Sequence, residues 1–204
     1  MATSLALFEQ KGYYGVSVSD IANACSIARG SLYTHFESKQ DLVNSLYRHW
    51  KNKVLEYSLV NLETHEGRAR HRQLWRNLFA FARDHPTALS FLESQQHASY
   101  LSSESKEVSA KVDNFAMENY RKILRQPIQK QHSLAVMLSI AYGGYNQIAK
   151  MSLLEQMPLS TDVVDMVEEM MWRILQMQEA KSIEHDAPAA ALSDARKPRS
   201  DDSS

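Results

Sequence analysis

The sequence predicts an all-α protein, and three observations carry that prediction. Breakers are scarce: 6 glycines and 5 prolines in 204 residues, about 5% where average usage is about 12%, which argues against a sandwich or barrel built from many tight turns. Apolar residues recur at helical spacing along most of the chain. Ser17-Val18-Ser19-Asp20 and Ser38-Lys39-Gln40-Asp41 both read as N-cap boxes, a serine hydroxyl and a carboxylate placed to satisfy the first amides of a helix. The length suits one or two domains with a sizeable core. A composition 44% hydrophobic and 23% charged excludes wholesale disorder.

Taken in order, Leu5, Leu7 and Phe8 mark a first helix from Ala2 to about Gln10, stopped by Gly12 and Gly15. The Ser17 box opens a brief helix from Val18 to about Ala24. A turn at Cys25-Ser26-Ile27 leads to a second short helix from about Ala28 to His35. The Ser38 box opens a long helix from Lys39 toward Glu63, with Leu42, Val43, Leu46, Tyr47, Trp50, Val54 and Leu59 at helical spacing. Leu74, Trp75, Leu78, Phe79 and Ala82 mark a helix ending near His85, because Pro86 disfavours α geometry before it. Pro86 itself suits a first helical position, and Leu89, Phe91 and Leu92 follow. Further helices are marked by Val108 to Leu124, by Ser133 to about Gln156, and by Thr161 to about Gln178. From residue 183 the chain turns to Ala, Pro, Ser and Asp, with little to bury, and residues 183–204 are expected to be a disordered tail.

Charge gives no global pull toward any partner, since 23 basic and 24 acidic side chains leave a net charge of −1. A single cysteine, Cys25, permits neither an internal disulfide nor a multi-thiolate metal site. No apolar run approaches the ~20 residues of a membrane span, and no secretion leader is visible. A reducing, cytoplasmic compartment is therefore expected.

A helix of about seven residues, a three-residue turn and a second short helix have the spacing of a helix-turn-helix. Ile21 and Ala22 are expected to face inward, Ile27 to plug the turn, and Leu32 and Phe36 to anchor the second helix; Cys25 falls in the same core. The outer face then carries Arg29, Gly30, Tyr33 and Thr34, with His35 at its end. Arginine reads guanine by paired hydrogen bonds in the major groove, and Gly30 lets the backbone come close. Tyr33, His35 and Lys39 are suitable donors to phosphate. Residues 1–53 carry six basic and four acidic side chains, a weak local excess in the right place.

The run Leu7-Phe8, Gly12-Tyr13, Ser17-Val18, Ile21-Ala22, Ile27, Gly30-Ser31-Leu32-Tyr33-Thr34-His35-Phe36, Ser38-Lys39 and Leu42 closely resembles the DNA-binding region of TetR-family transcriptional regulators. The resemblance covers roughly residues 5–50, and the segment GSLYTHFESK is its most specific part. It implies base reading by Ala28, Arg29, Gly30 and Ser31, and backbone contacts by Ser17, Tyr33, Thr34, His35 and Lys39. It also implies a DNA-binding domain over 1–50 and a helical ligand-binding and dimerisation domain over 51–182. Two departures stand out: Ser26 replaces a usual glycine, adding about 1 kcal/mol of strain if its φ is positive, and Ala28 replaces a frequent Ser or Thr. The N-terminus is short for the family, so either arm contacts are lacking or translation starts upstream, and the first helix is expected to be weakly anchored.

Beyond the resemblance the residues carry the reading. Trp75, Phe79, Phe91, Phe115, Tyr120, Tyr142 and Tyr145 are candidate walls of a small-molecule pocket, although an aromatic stripe also suits a plain core. Glu93, Asp113 and Glu118 are candidates to face a cationic ligand. Arg68, Arg72 and Arg76 form a stripe that reads as a surface face or an anion site. Val163, Val167, Met170, Met171 and Ile174 cover too wide an arc of the last helix for one contact. With Gly143 and Gly144, where helices are able to cross closely, they are the candidate dimer interface. Glu93 and His97, one turn apart, together with His85 and His132, form no pattern that gathers a metal site, and no cofactor is expected. The chain contains no Glu-x-x-His pair, no Gly-rich phosphate loop and no Gly-x-Ser-x-Gly elbow, which argues against an enzyme. The expected function is a homodimeric regulator, a repressor released from a palindromic operator by an unknown small-molecule effector. The alternative is a DNA-binding dimer without such a ligand, regulated by a partner protein or by abundance.

Overall fold

A computed structural model of the chain describes residues 2–124 and 131–185. Among the described residues there are nine helices and no strand. They are α1 (Ala2–Gly15), α2 (Val18–Ala24), α3 (Arg29–Tyr33), α4 (Lys39–Leu59), α5 (Gly67–Asp84), α6 (Pro86–Gln95), α7 (Ser103–Ile123), α8 (Gln131–Leu153) and α9 (Thr161–His185).

The caps explain where these helices begin and end. Ser17 Oγ accepts the Asp20 amide at 3.1 Å and the Asp20 carboxylate accepts the Ser17 amide at 2.8 Å, closing the expected box. Ser38 Oγ accepts the Asp41 amide at 3.0 Å, but the Asp41 carboxylate turns to the Glu37 amide instead, at 3.2 Å. Helix α7 starts earlier than Val108 because Ser102 caps it, its hydroxyl accepting the Ser105 amide at 3.2 Å. Helix α1 continues past Gln10 through a kink at Gly12, whose φ of 65° suits only a residue without Cβ. Helix α4 stops at Leu59 rather than Glu63, since Asn61 takes a left-handed φ of 54°. Helix α9 runs on to His185, and of the expected tail residues 186–204 lie outside the described residues.

Two cores organise the helices. One joins α1–α3 to the first half of α4 and to α6, through Leu5, Phe8, Ile21, Leu46, Tyr47 and Phe91. The other lies among α5, α7, α8 and α9, around Leu74, Trp75, Leu78, Tyr120, Leu138 and Tyr145. Val54 of α4 packs against both, so the boundary read at residue 50 falls inside a continuous helix. Helix α1 is held firmly, against expectation. Phe8 is buried with its ring 6.3 Å from that of Phe91 on α6, and Ser90 donates to Glu9 at 3.3 Å. Burying a phenylalanine of this kind stabilises by about 1.5–3 kcal/mol, more than a short helix loses by fraying.

The arginine stripe of α5 is a surface face, Arg72 and Arg76 staying exposed, but it is paired across to α9. Arg68 meets Glu168 at 2.9 Å and Glu169 at 2.6 Å, Arg72 meets Glu168 at 3.6 Å and Arg76 meets Asp165 at 3.7 Å, so the stripe ties α5 to α9. His71 sits among these charges fully buried, and desolvation lowers it from the usual 6.5 to about 4. It is therefore neutral at pH 7, and its Nε2 donates to the Glu168 carbonyl at 3.2 Å rather than forming an ion pair with the carboxylate.

Candidate functional site: a nucleic-acid interface and an internal cavity

The α2–α3 unit is closed by a Schellman motif. The Ser26 amide donates to the Asn23 carbonyl at 3.1 Å and the Ile27 amide to the Ala22 carbonyl at 3.0 Å, with Ser26 at φ 54°. The departure noted at Ser26 thus falls on a residue held in left-handed geometry. This geometry swings Ile27 outward, and its side chain is 42% exposed rather than plugging the turn. The inward anchors are Ile21, Ala22 and Leu32, with Phe36 half-buried beside them and Cys25 half-buried against Ser4, Sγ to Oγ 3.5 Å.

Helix α3 presents a continuous outer face. Ala28, Arg29, Gly30, Ser31, Tyr33, Thr34 and His35 are all exposed. A Cβ placed on Gly30 meets nothing within 4 Å, so no neighbour in the chain requires that glycine. The Arg29 guanidinium lies 5.9 Å from the centre of the Tyr33 ring, which holds the arginine over the surface. Thr34 Oγ1 is turned inward to the Ser31 carbonyl at 2.7 Å. Ser17 is exposed beside this face, its hydroxyl shared with Asp20.

Lys39 departs from a simple phosphate donor. Its ammonium donates to the carbonyls of Tyr13 and Val16, both at 2.8 Å, and lies 4.2 Å over the Tyr13 ring. Two of its three N–H bonds therefore tie α4 to the end of α1. Tyr13 in turn stacks on Tyr100, with ring centroids 3.8 Å apart. The Asn44 and Gln40 amides both donate to the Tyr100 carbonyl at 3.0 Å. Sequence reasoning missed this junction because Tyr100 lies 87 residues from Tyr13, outside any local period.

A cavity of about 150 Å³, partly open to solvent, lies between α4, α5, α6, α7 and α8. Of the aromatic candidates, Phe115, Tyr142 and Tyr145 line it. Trp75, Phe79 and Tyr120 do not: they are buried in the second core, where Trp75 Nε1 donates to the Tyr120 hydroxyl at 3.1 Å. Phe91 is absent from the lining as well, because it faces Phe8 in the first core. Among the carboxylates, Glu93 and Asp113 stand at the lining, whereas Glu118 borders a separate groove with Leu55 and Leu59. Lys51, which sequence reasoning did not select, enters the cavity from α4 beside Val54 and Ser58. Spacing from Val54 and Ser58 would have placed it on the same helical face. Burial pushes the Lys51 ammonium down, with Asp113 partly restoring it, and burial raises the Tyr142 hydroxyl so that it stays protonated.

The candidate dimer residues divide by face. Val167 is buried, and Val163, Met171 and Ile174 are half-buried against the second core, so these four belong to the fold of one chain. Met170 and Gly143 are exposed and Gly144 is half-buried. Three residues not selected from the sequence, Val136, Ile140 and Met166, are each more than half exposed and extend the same apolar surface of α8 and α9. The apolar residues of α9 spread over more than one arc of the helix, which is why periodicity alone did not separate them. Neither Gly143 nor Gly144 meets an atom of its own chain within 4 Å of an added Cβ. No group of three potential metal ligands is gathered among the described residues, and His132 lies outside those whose side chains are described. Likewise, no helix among them is long and apolar enough to cross a membrane.

Comparison with known proteins agrees with this arrangement. Residues 1–46 match the model of bacterial regulatory proteins of the tetR family, and residues 54–177 match that of the tetracyclin repressor-like C-terminal domain. The chain is 39% identical over 62 residues to the HTH-type transcriptional regulator YuxN of Bacillus subtilis, covering 30% of this chain and 21% of that protein. It is 45% identical over 42 residues to the HTH-type transcriptional repressor KstR2 of Rhodococcus jostii, covering 21% of each. The matched stretches thus span about a fifth of these relatives' length. In fold, it is similar to a TetR family transcription regulator from Marinobacter aquaeolei VT8, with a TM-score of 0.70 at 16% identity over 85% of this chain and 91% of the other. With the C-terminal model matching well over half of its length, the chain belongs to the tetR family of bacterial regulatory proteins.

Proposed function

We propose that the chain is a homodimeric transcriptional repressor that binds a palindromic operator through α3 of each protomer and releases it when a small molecule enters the cavity. The observation that carries this reading is the double duty of α6. Its Leu89, Leu92 and Glu93 line the cavity, while its Ala88 and Phe91 belong to the core that holds α1–α3. A ligand that displaces α6 therefore acts directly on the seat of the DNA-reading unit. Two α3 helices in a dimer read two half-sites, and a change in their spacing removes the fit to one helical turn of DNA. The ligand shifts this balance only by its preference between the two arrangements. The exposed apolar surface of α8 and α9 supports dimerisation there, and the relative named as a repressor supports the direction of control.

The test is operator affinity with and without a bound effector, measured by fluorescence anisotropy on a selected duplex. The reading expects at least a tenfold weakening. An effector that occupies the cavity and leaves operator affinity unchanged contradicts it and favours a DNA-binding dimer controlled by other means.

A further inference from the structure

We propose that the cavity takes a small organic acid, a single aromatic ring or short aliphatic chain bearing one carboxylate, with the carboxylate held by Lys51 and Tyr142 and the apolar body against Leu78, Leu89 and Phe115. This deepens the effector reading above and rests on it only for its regulatory consequence.

Size sets the first limit. A cavity of about 150 Å³ holds a molecule of about the bulk of benzene, and the open side leaves room for one polar group. The lining sets the second. It is mostly apolar, with the hydroxyl of Tyr145 already donating to the Leu78 carbonyl at 2.8 Å.

Charge decides the class of polar group. Lys51 is the inner charge: it is half-buried, and among the described residues its ammonium has no carboxylate within 4 Å and no hydrogen bond. The Tyr47 ring lies 5.7 Å away, and the Asp113 carboxylate acts on the ammonium electrostatically without pairing with it. Asp113 and Glu93 are exposed, so water already solvates them at the rim. The Tyr142 hydroxyl, protonated through burial, adds a donor with no hydrogen-bond partner among the described residues. Two half-buried donors without a hydrogen bond to the described residues, beside carboxylates that stay exposed to water, suit an anion seated between them.

Its position suits a trigger as well. Lys51 lies twelve residues beyond Lys39 on α4, about 18 Å along the helix at 1.5 Å per residue. The same helix therefore carries the ligand's charge contact near its middle and the tie to α1 at its start.

Calorimetry on the full chain tests this with three probes of matched shape: benzoate, benzyl alcohol and benzylamine. Benzoate is expected to bind best. Lys51→Met is expected to weaken benzoate tenfold or more while leaving benzyl alcohol unchanged, and Tyr142→Phe to weaken benzoate severalfold. Asp113→Asn, at an exposed position that does not threaten folding, is expected to strengthen benzoate by removing a competing charge. Tighter binding of benzylamine that Asp113→Asn abolishes overturns the proposal. So does equal loss of benzoate and benzyl alcohol in Lys51→Met, or binding of none of the three at millimolar concentration. Benzoate binding as expected without any change in operator affinity upholds the site and contradicts the effector reading instead.

Discussion

Replacing Lys39 with methionine keeps most of the side chain's apolar stem and removes its charge. The wild-type ammonium makes two 2.8 Å hydrogen bonds to the Tyr13 and Val16 carbonyls and sits 4.2 Å over the Tyr13 ring. A hydrogen bond to a charged group contributes about 1.5–3 kcal/mol and a cation–π contact about 0.5–1 kcal/mol at a partly exposed site. The three share one group and are not additive, and Lys39 is only half-buried, so about 3 kcal/mol is the expected loss. That loss is local, because every bond it breaks ties α4 to the α1–α2 corner. Native-state hydrogen exchange reads it directly. Amides of α1–α3 are expected to lose about 100-fold in protection, while the α5 and α7 amides of the second core keep theirs. Unchanged protection in α1–α3, or a uniform loss across all helices, refutes the reasoning. The salt dependence of operator binding supplies a separate reading: if the third N–H bond also meets a phosphate, the slope falls by about one ion.

Three further perturbations follow from local geometry. Ser26→Gly is expected to stabilise by about 0.5–1 kcal/mol in thermal melts, relieving the left-handed φ of 54° at the entropic cost of a glycine; a loss of stability contradicts the geometry. Gly143→Ala favours the isolated α8 by about 1 kcal/mol and meets no atom of its own chain, so a weaker dimer in sedimentation with an unweakened monomer fold marks α8 as a close crossing. An unchanged dimer removes Gly143 from the interface. His71 gives a pH dependence. Its folded value of about 4 lies below the unfolded 6.5, so the stability it contributes is complete above about 6.5 and is lost as the pH falls toward 4, at most about 3 kcal/mol. Glu168, raised by burial, works in the opposite direction and reduces the net slope. Urea titrations of His71→Gln are expected to show a flatter profile between pH 6.5 and 4, and an identical profile counts against the assignment.

What the sequence revealed, and what it hid, follows from the range of each interaction. Ser17 and Ser38 were legible as caps because a cap is made within four residues, and Arg29, Gly30 and Tyr33 emerged on one face because α3 is short and its register is fixed by Leu32. Ile27 was misplaced because its direction depends on the left-handed turn at Ser26, which spacing does not report. The arginine stripe of α5 read correctly as a surface face, but its pairing was hidden because Glu168 and Glu169, its partners, come a hundred residues later. Trp75, Phe91 and Phe115 are alike in sequence, each aromatic on an amphipathic helix, yet only Phe115 reaches the cavity. That outcome is set by how five helices cross, and Lys51 was overlooked for the same reason.

Operator recognition rests on base reading by the exposed face of α3 through Arg29. The measurement is selection of duplex DNA from a random pool, run in parallel with the wild-type chain and Arg29→Ala. The wild-type chain is expected to enrich an inverted repeat and Arg29→Ala to relax or lose the preference at one symmetric pair of positions, a change of about 1–3 kcal/mol there, with non-specific binding little affected. Enrichment of the same sequence with the same affinity by both proteins contradicts base reading through Arg29.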